Sequence, residues 1–208
     1  MPFEVLLPNL FFGILAIALI AGIFHVTRRM PARIPFRYVG ALVIVLGSLL
    51  FFFRHGFVLR FVPDALEVKS VAYSKEESMG FGPGANEAGV IVYPLPDSVA
   101  RQIEQQGLAY FEQMPPNADQ HERGWQGNYH GWQPTPVPPV VPEEPRDGPP
   151  RFDMLNYVCK YLHISVDPAI VDEVNAMLNS PGSYYAYSRI GMMVVSPGKR
   201  RVVYLYNG

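Results

Sequence analysis

The chain reads as an α+β protein. The expected architecture is an N-terminal two-helix transmembrane hairpin, then a small domain with a mainly antiparallel sheet and about three helices. Three observations predict it. Two long apolar runs, residues 10–27 and 34–53, flank a short arginine-rich turn. Residues 183–206 hold two strand-like runs around Ser196-Pro197-Gly198-Lys199. Between these ends, short β-rich stretches alternate with stretches of helical periodicity. The 208 residues suffice for one ordinary domain plus the hairpin. They divide into the hairpin (1–63), a first part of the outer domain (64–113), a Pro/Trp-rich linker or strap (114–151) and a second part (152–208).

Residues 10–27 carry no formal charge. At 1.5 Å per residue they reach about 27 Å, near the thickness of a hydrocarbon core. Residues 34–53 carry one charge, Arg37, near their start, where it can snorkel to headgroups. The stretch before the first run holds Glu4 and no Lys or Arg, and no small-x-small site followed by a polar mature start precedes the second run. A cleaved signal peptide is therefore not expected. Arg28, Arg29, Arg33 and Arg37 crowd the turn and are candidates for lipid headgroup contact. Beyond the second run come Arg54, Arg60 and Lys69. The denser turn is assigned to the inside, with both flanking segments outside. In a bacterium this predicts a two-pass inner-membrane protein with a periplasmic C-terminal domain. Small residues, among them Ala18, Gly22, Gly40, Gly47 and Ser48, let helices approach closely. Gly22 and Gly47 are accordingly candidate packing positions for a partner helix. Residues 54–62 mix basic and apolar residues as an interfacial stretch that Pro63 ends.

After the hairpin, partial alternation over 65–73 predicts a strand. Residues 75–84, with Gly80, Gly82 and Gly84, read as a flexible loop. Pro83 and the lack of a following helix start argue against a phosphate cradle. Residues 89–94 read as a strand. Residues 96–113 read as a helix capped by Asp97 or Ser98, with Val99, Ile103, Tyr110 and Phe111 on its apolar stripe and Gly107 interrupting it. Ten prolines between Pro115 and Pro150 predict extended or polyproline II chain. Both tryptophans of the protein, Trp125 and Trp132, lie at its start in Gly-Trp-Gln triplets, with Tyr129 between them. Aromatic residues among glycines can cover the domain's own core, anchor a protein partner or stack on sugar rings; the partner-binding assignment goes to Trp125, Tyr129 and Trp132. Residues 152–164 read as a helix. Residues 167–179 read as another, opened by Asp167 as cap and Pro168 at the first helical position. The C-terminal pair of strands is expected around a type II turn, with Pro197 second and Gly198 third.

Composition excludes several functions. Residues 1–63 hold six arginines against Glu4, a net of +5; residues 64–208 hold 17 acids against 11 bases, a net of −6. An acidic outer domain is a poor partner for nucleic acid. The single cysteine, Cys159, allows no internal disulfide and falls on the apolar side of a helix, where it reads as a small buried hydrophobe. His121, Glu122 and His130 match no zinc spacing. His163 reads as a surface or capping residue. The acidic pairs Glu76/Glu77, Glu143/Glu144 and Asp172/Glu173 are sequence neighbours that do not converge on one target. No catalytic residue, metal or cofactor is expected. The expectation is a non-enzymatic, membrane-anchored accessory or assembly subunit of a larger membrane complex. Its contacts would run through the hairpin and the strap, with the bilayer and other membrane subunits as partners. The alternative is an extracytoplasmic module binding a glycan or small ligand.

Overall fold

The structure, a computed structural model, describes residues 56–79, 86–139, 151–160 and 162–208, together with Gly40, Leu42, Val43, Val45, Leu46, Gly47 and Leu49. The chain divides into two compact units, with a boundary along the sequence between Val58 and Leu59. Of residues 4–58, the described positions from 40 to 49 and the stretch 56–58 are helical. Most of the two apolar runs, and with them Gly22, Arg28, Arg29, Arg33 and Arg37, lies outside the described residues. Among the described residues, no helix is long and apolar enough to cross a membrane.

The unit from Leu59 onward is a mixed helix and antiparallel sheet fold. A 3-10 turn, Asp64–Leu66, precedes strands β1 (Tyr73–Met79) and β2 (Asn86–Pro94). Helices α1 (Asp97–Gln106), α2 (Leu108–Glu112) and α3 (Gln120–Arg123) lead to β3 (His130–Pro134). Helices α4 (Met154–Val158) and α5 (Pro168–Asn179) then precede β4 (Tyr184–Tyr187), β5 (Gly191–Ser196) and β6 (Arg201–Asn207). The six strands run β1-β2-β6-β5-β4-β3, every pair antiparallel. The last strand thus sits at the sheet's centre, against β2.

The sheet is covered on both faces. The reason lies in β5 and β6, which are apolar without alternation and buried almost throughout. On the first face Val90, Val92, Met192, Val194, Val203 and Leu205 pack with Met154 and Val158 of α4 and with Val174, Met177 and Leu178 of α5. On the second face Ile91, Tyr93, Met193, Val195 and Tyr204 are buried, with Phe61, Leu66, Val99, Ile103 and Phe111.

Several elements differ from expectation. Residues 65–73 form the 3-10 turn and extended chain, and the strand comes later, over the charged run that reads as a loop. The helix expected over 96–113 is two helices broken at Gly107, whose φ of +60° suits glycine alone. The strap is no plain linker. Its first part holds α3 and β3, and Val137 donates to the Leu178 carbonyl (2.8 Å) while its side chain enters the core. Helix α4 is a short piece of the helix expected over 152–164. Helix α5 is as read, with Asp167 accepting from the Ala169 amide (2.9 Å). The β5–β6 turn is not type II: Gly198 has no positive φ, the Arg200 amide bonds to the Pro197 carbonyl (3.2 Å), and Arg200 takes the left-handed conformation at φ +56°.

Candidate interaction surface

The most elaborate polar construction in the described residues joins the start of the unit that begins at Leu59 to the loop before β3. Arg123, at the end of α3, reaches across with all its guanidinium nitrogens. Nη1 donates to the Val62 carbonyl at 3.1 Å and lies 3.4 Å from that of Arg60. Nη2 meets the Asp64 carboxylate at 2.5 Å, and Nε meets Asp119, one turn back. The Asp64 carboxylate also accepts from the Ala118 amide (2.9 Å), and the Asp64 amide donates to the Asn117 side chain (2.8 Å). Asn117, itself buried, donates to the Gly127 carbonyl (2.9 Å). Tyr129 donates from its hydroxyl to Phe61 (3.0 Å), and Tyr110 to Ala65 (2.6 Å). Gly127 has φ +71°, and a Cβ there would lie 2.7 Å from the Arg60 carbonyl, so glycine is required for this approach. Residues 60–65 are therefore bonded into the sheet-containing unit through four carbonyls, an amide and a carboxylate.

An aromatic layer lies beneath this clamp. Phe61 stacks on Tyr204 (centroids 5.0 Å apart), and Tyr204 stacks on Tyr206 (5.1 Å). Trp132 stacks on Phe111 at 4.3 Å, and Phe111 also touches Tyr184 (4.9 Å). Tyr129 bridges Trp132 and Tyr204. Burial, reinforced by neighbouring Tyr204, holds the hydroxyls of Tyr93 and Tyr129 well above the usual phenol range.

Two of the three aromatic residues assigned to partner contact are buried within the domain. Trp132 is 7 % exposed and Tyr129 8 %, so both are core residues. They share the inward face despite their spacing of three because the β3–β4 register shifts between His130 and Gln133. Trp125 is only partly buried, tilted 5.9 Å from Phe61, and is the one member of the trio that retains accessible surface. Gly47 is exposed, and a Cβ there would meet nothing within 4 Å. Sequence reasoning missed Arg123, Asp64 and Asn117. Asp64 directly after Pro63 was the only local sign that the chain turns there.

Among the described residues, no metal-ligating cluster gathers around the cysteine or the histidines. Cys159 packs against the first-face core, and its thiol points at the Ile164 carbonyl at 3.9 Å, a weak contact. Among the described residues, no three His, Cys, Asp or Glu side chains are grouped so as to hold a metal ion. The large apolar side chains found exposed are Leu42, Val43, Val45, Leu49 and Phe57 in the first unit and Tyr187 in the second. Exposed apolar surface in the described residues is thus concentrated before Leu59.

No protein-family model matches this chain, and no curated protein or solved structure is detectably similar to it.

Proposed function

We propose that this protein is a non-enzymatic, membrane-anchored accessory or assembly subunit of a larger membrane complex. Residues 1–63 would supply a two-pass hairpin in a bacterial inner membrane, with the outer domain periplasmic. One observation carries the reading. Leu42, Val43, Val45, Leu49 and Phe57 are helical yet 40 to 54 % exposed, inside or just beyond an apolar run long enough to span a bilayer. Such side chains call for lipid or a partner helix, and Gly40 and Gly47, seven apart, leave room for close helix approach. Arg28, Arg29, Arg33 and Arg37 would face the anionic inner leaflet.

The strap's share in partner contact now rests on Trp125 and on the exposed prolines Pro136, Pro138 and Pro139. Trp132 and Tyr129 act one step back by fixing the loop that carries Trp125. A glycan platform would need the tryptophan faces open, and Trp132 spends its face on Phe111.

The test combines topology and assembly. A cysteine placed at Lys199, in a Cys159→Ser background, should react with a membrane-impermeant maleimide in whole spheroplasts. Gly47→Leu, which adds bulk to the proposed helix contact, should lower the native mass of the detergent-extracted assembly while the chain stays in the membrane fraction. Extraction of the wild-type chain by alkaline carbonate would sink the anchored reading.

A further inference from the structure

Residues 59–66 are held in the manner of a bound peptide. Several of the backbone bonds are local. Val62 donates to the Leu59 carbonyl (3.0 Å), Leu66 to that of Pro63 (3.0 Å) and Glu67 to that of Asp64 (2.9 Å). Pro63, which is buried, has no amide proton to satisfy. What the segment turns to the rest of the unit is chiefly acceptors. The carbonyls of Phe61, Val62 and Ala65 take donors from Tyr129, Arg123 and Tyr110. The Asp64 carboxylate takes the Arg123 guanidinium and the Ala118 amide, and the Asp64 amide meets Asn117. All of these partners lie between residues 110 and 129, at least 45 residues further along the chain.

The chain that joins the segment to β1 is built differently. Residues 67–71 have no regular structure, and Glu67, Lys69 and Ser70 are exposed. None of the bonds that hold Asp64 or the three carbonyls comes from this link. The hold thus resides in two complementary surfaces. Carbonyls are common to every sequence, so side chains set the choice of ligand. Phe61 stacks on Tyr204, Val62 and Leu66 are buried, and Asp64 supplies the charge for Arg123. The local bonds and Pro63 restrict the segment before it docks, which lowers the cost of ordering it.

We propose that the surface formed by Tyr110, Asn117, Arg123 and Tyr129 is a peptide-binding site, filled here by the chain's own residues 60–66. Its ligand class is a short segment of the pattern aromatic, apolar, proline, aspartate, any residue, leucine. The segment stays bound when the chain is cut between it and β1, and a free peptide of the same sequence competes for its place. The sheet-containing unit is therefore fastened to the preceding chain by recognition as well as by the covalent link. Every group involved belongs to the unit from Leu59 onward, so the site is independent of the membrane reading.

The full chain in detergent, with a protease-cleavage sequence inserted between Lys69 and Ser70 and an affinity tag at the C-terminus, tests it. After complete cleavage the fragment before the cut should co-elute with the tagged fragment. An excess of synthetic peptide Leu59–Glu67 should displace it, and the same peptide with Asp64→Ala should need about tenfold more, the value of a charge-assisted bond. Two glycine variants separate docking from backbone strain. Gly127 and Gly124 both have positive φ, +71° and +62°, but a Cβ at 127 would lie 2.7 Å from the Arg60 carbonyl and one at 124 would meet nothing within 4 Å. Gly127→Ala should release the fragment on cleavage and Gly124→Ala should keep it, both with the circular dichroism of the wild type before the cut. The peptide competition uses wild-type protein, so it decides the matter even where Gly127→Ala does not fold. Separation of the wild-type fragments on cleavage would overturn the proposal. So would co-elution that excess peptide does not reduce, because another surface would then hold the fragments together. Extraction by alkaline carbonate reads the membrane anchor separately and leaves both of these results untouched.

Discussion

Arg123 is the residue whose loss should undo the clamp on residues 60–65. Its side chain is 10 % exposed, while the carboxylates it binds, Asp64 and Asp119, are about 40 % exposed. In Arg123→Ala these carboxylates rehydrate, so each lost ion pair costs only about 0–1 kcal/mol. The Val62 carbonyl is different. Val62 is 3 % exposed, and a buried acceptor left without its donor costs about 1–3 kcal/mol. The sum is about 3 kcal/mol. For a domain of this size each kcal/mol moves Tm by about 2–4 °C, so the expected fall is about 6–12 °C. Arg123→Lys can keep one ion pair but not the fork, and should recover less than half of the loss. Thermal unfolding of the full chain in detergent measures this, and hydrogen exchange locates it: the amides of Val62, Asp64 and Leu66 should exchange faster while those of β5 and β6 do not. A fall in Tm under 2 °C, or equal acceleration across the sheet, would refute the clamp as the fastening of this segment.

The tryptophans should separate. Trp132→Ala empties a core site and should cost about 3–5 kcal/mol, whereas Trp125→Ala should leave Tm nearly unchanged and weaken assembly with a partner; calorimetry and native mass on the same pair of variants distinguish the two roles. Stability should also fall at alkaline pH. The folded-state values of Tyr93 and Tyr129 lie above the unfolded value of about 10, so their contribution is complete below pH 10 and is lost as pH rises toward the folded values. Each proton retained by the folded chain adds up to about 1.4 kcal/mol per pH unit once the pH is above the unfolded value, and Tyr93→Phe should lower the measured slope by about that much in urea titrations near pH 11. Arg200 takes a left-handed φ while bonding Asp97 (2.8 Å) and Glu104 (2.7 Å) from an exposed site. Arg200→Gly should therefore melt above Arg200→Ala, because glycine relieves the strain that alanine keeps.

The sequence shows some elements plainly and hides others for physical reasons. Helix α5 announces itself through Asp167 and Pro168, and β5 and β6 through their β-branched apolar runs. Strand β1 is hidden by Lys75-Glu76-Glu77-Ser78, which reads as solvated loop. One of these charges, Glu76, turns into the domain, and the edge position lets the others face water. Strand β3 is hidden by glycines and by a register shift that breaks period-two alternation. The clamp is invisible because its partners, Asp64 and Arg123, lie 59 residues apart and no local pattern joins them. The second covered face of the sheet was open to reading in Met192–Val195 and Val202–Tyr206, whose unbroken apolar runs call for burial on both sides. Trp132 and Tyr129 looked like surface anchors because their surroundings are polar and Gly-rich; the stacking on Phe111 that covers Trp132 is made by a helix about twenty residues earlier, and Tyr129 packs on Trp132 and on Tyr204 of the last strand.

The central claim is that this chain is a subunit of something larger in a membrane. The most direct measurement is the mass of the assembly released intact from its native membrane in mild detergent, read by native mass spectrometry with its subunits identified on dissociation. The expected mass exceeds that of one or two copies of the 23.3 kDa chain, with a different membrane protein present in fixed ratio. A mass made of this chain alone, as monomer or dimer, with no second subunit at any detergent concentration, would contradict it.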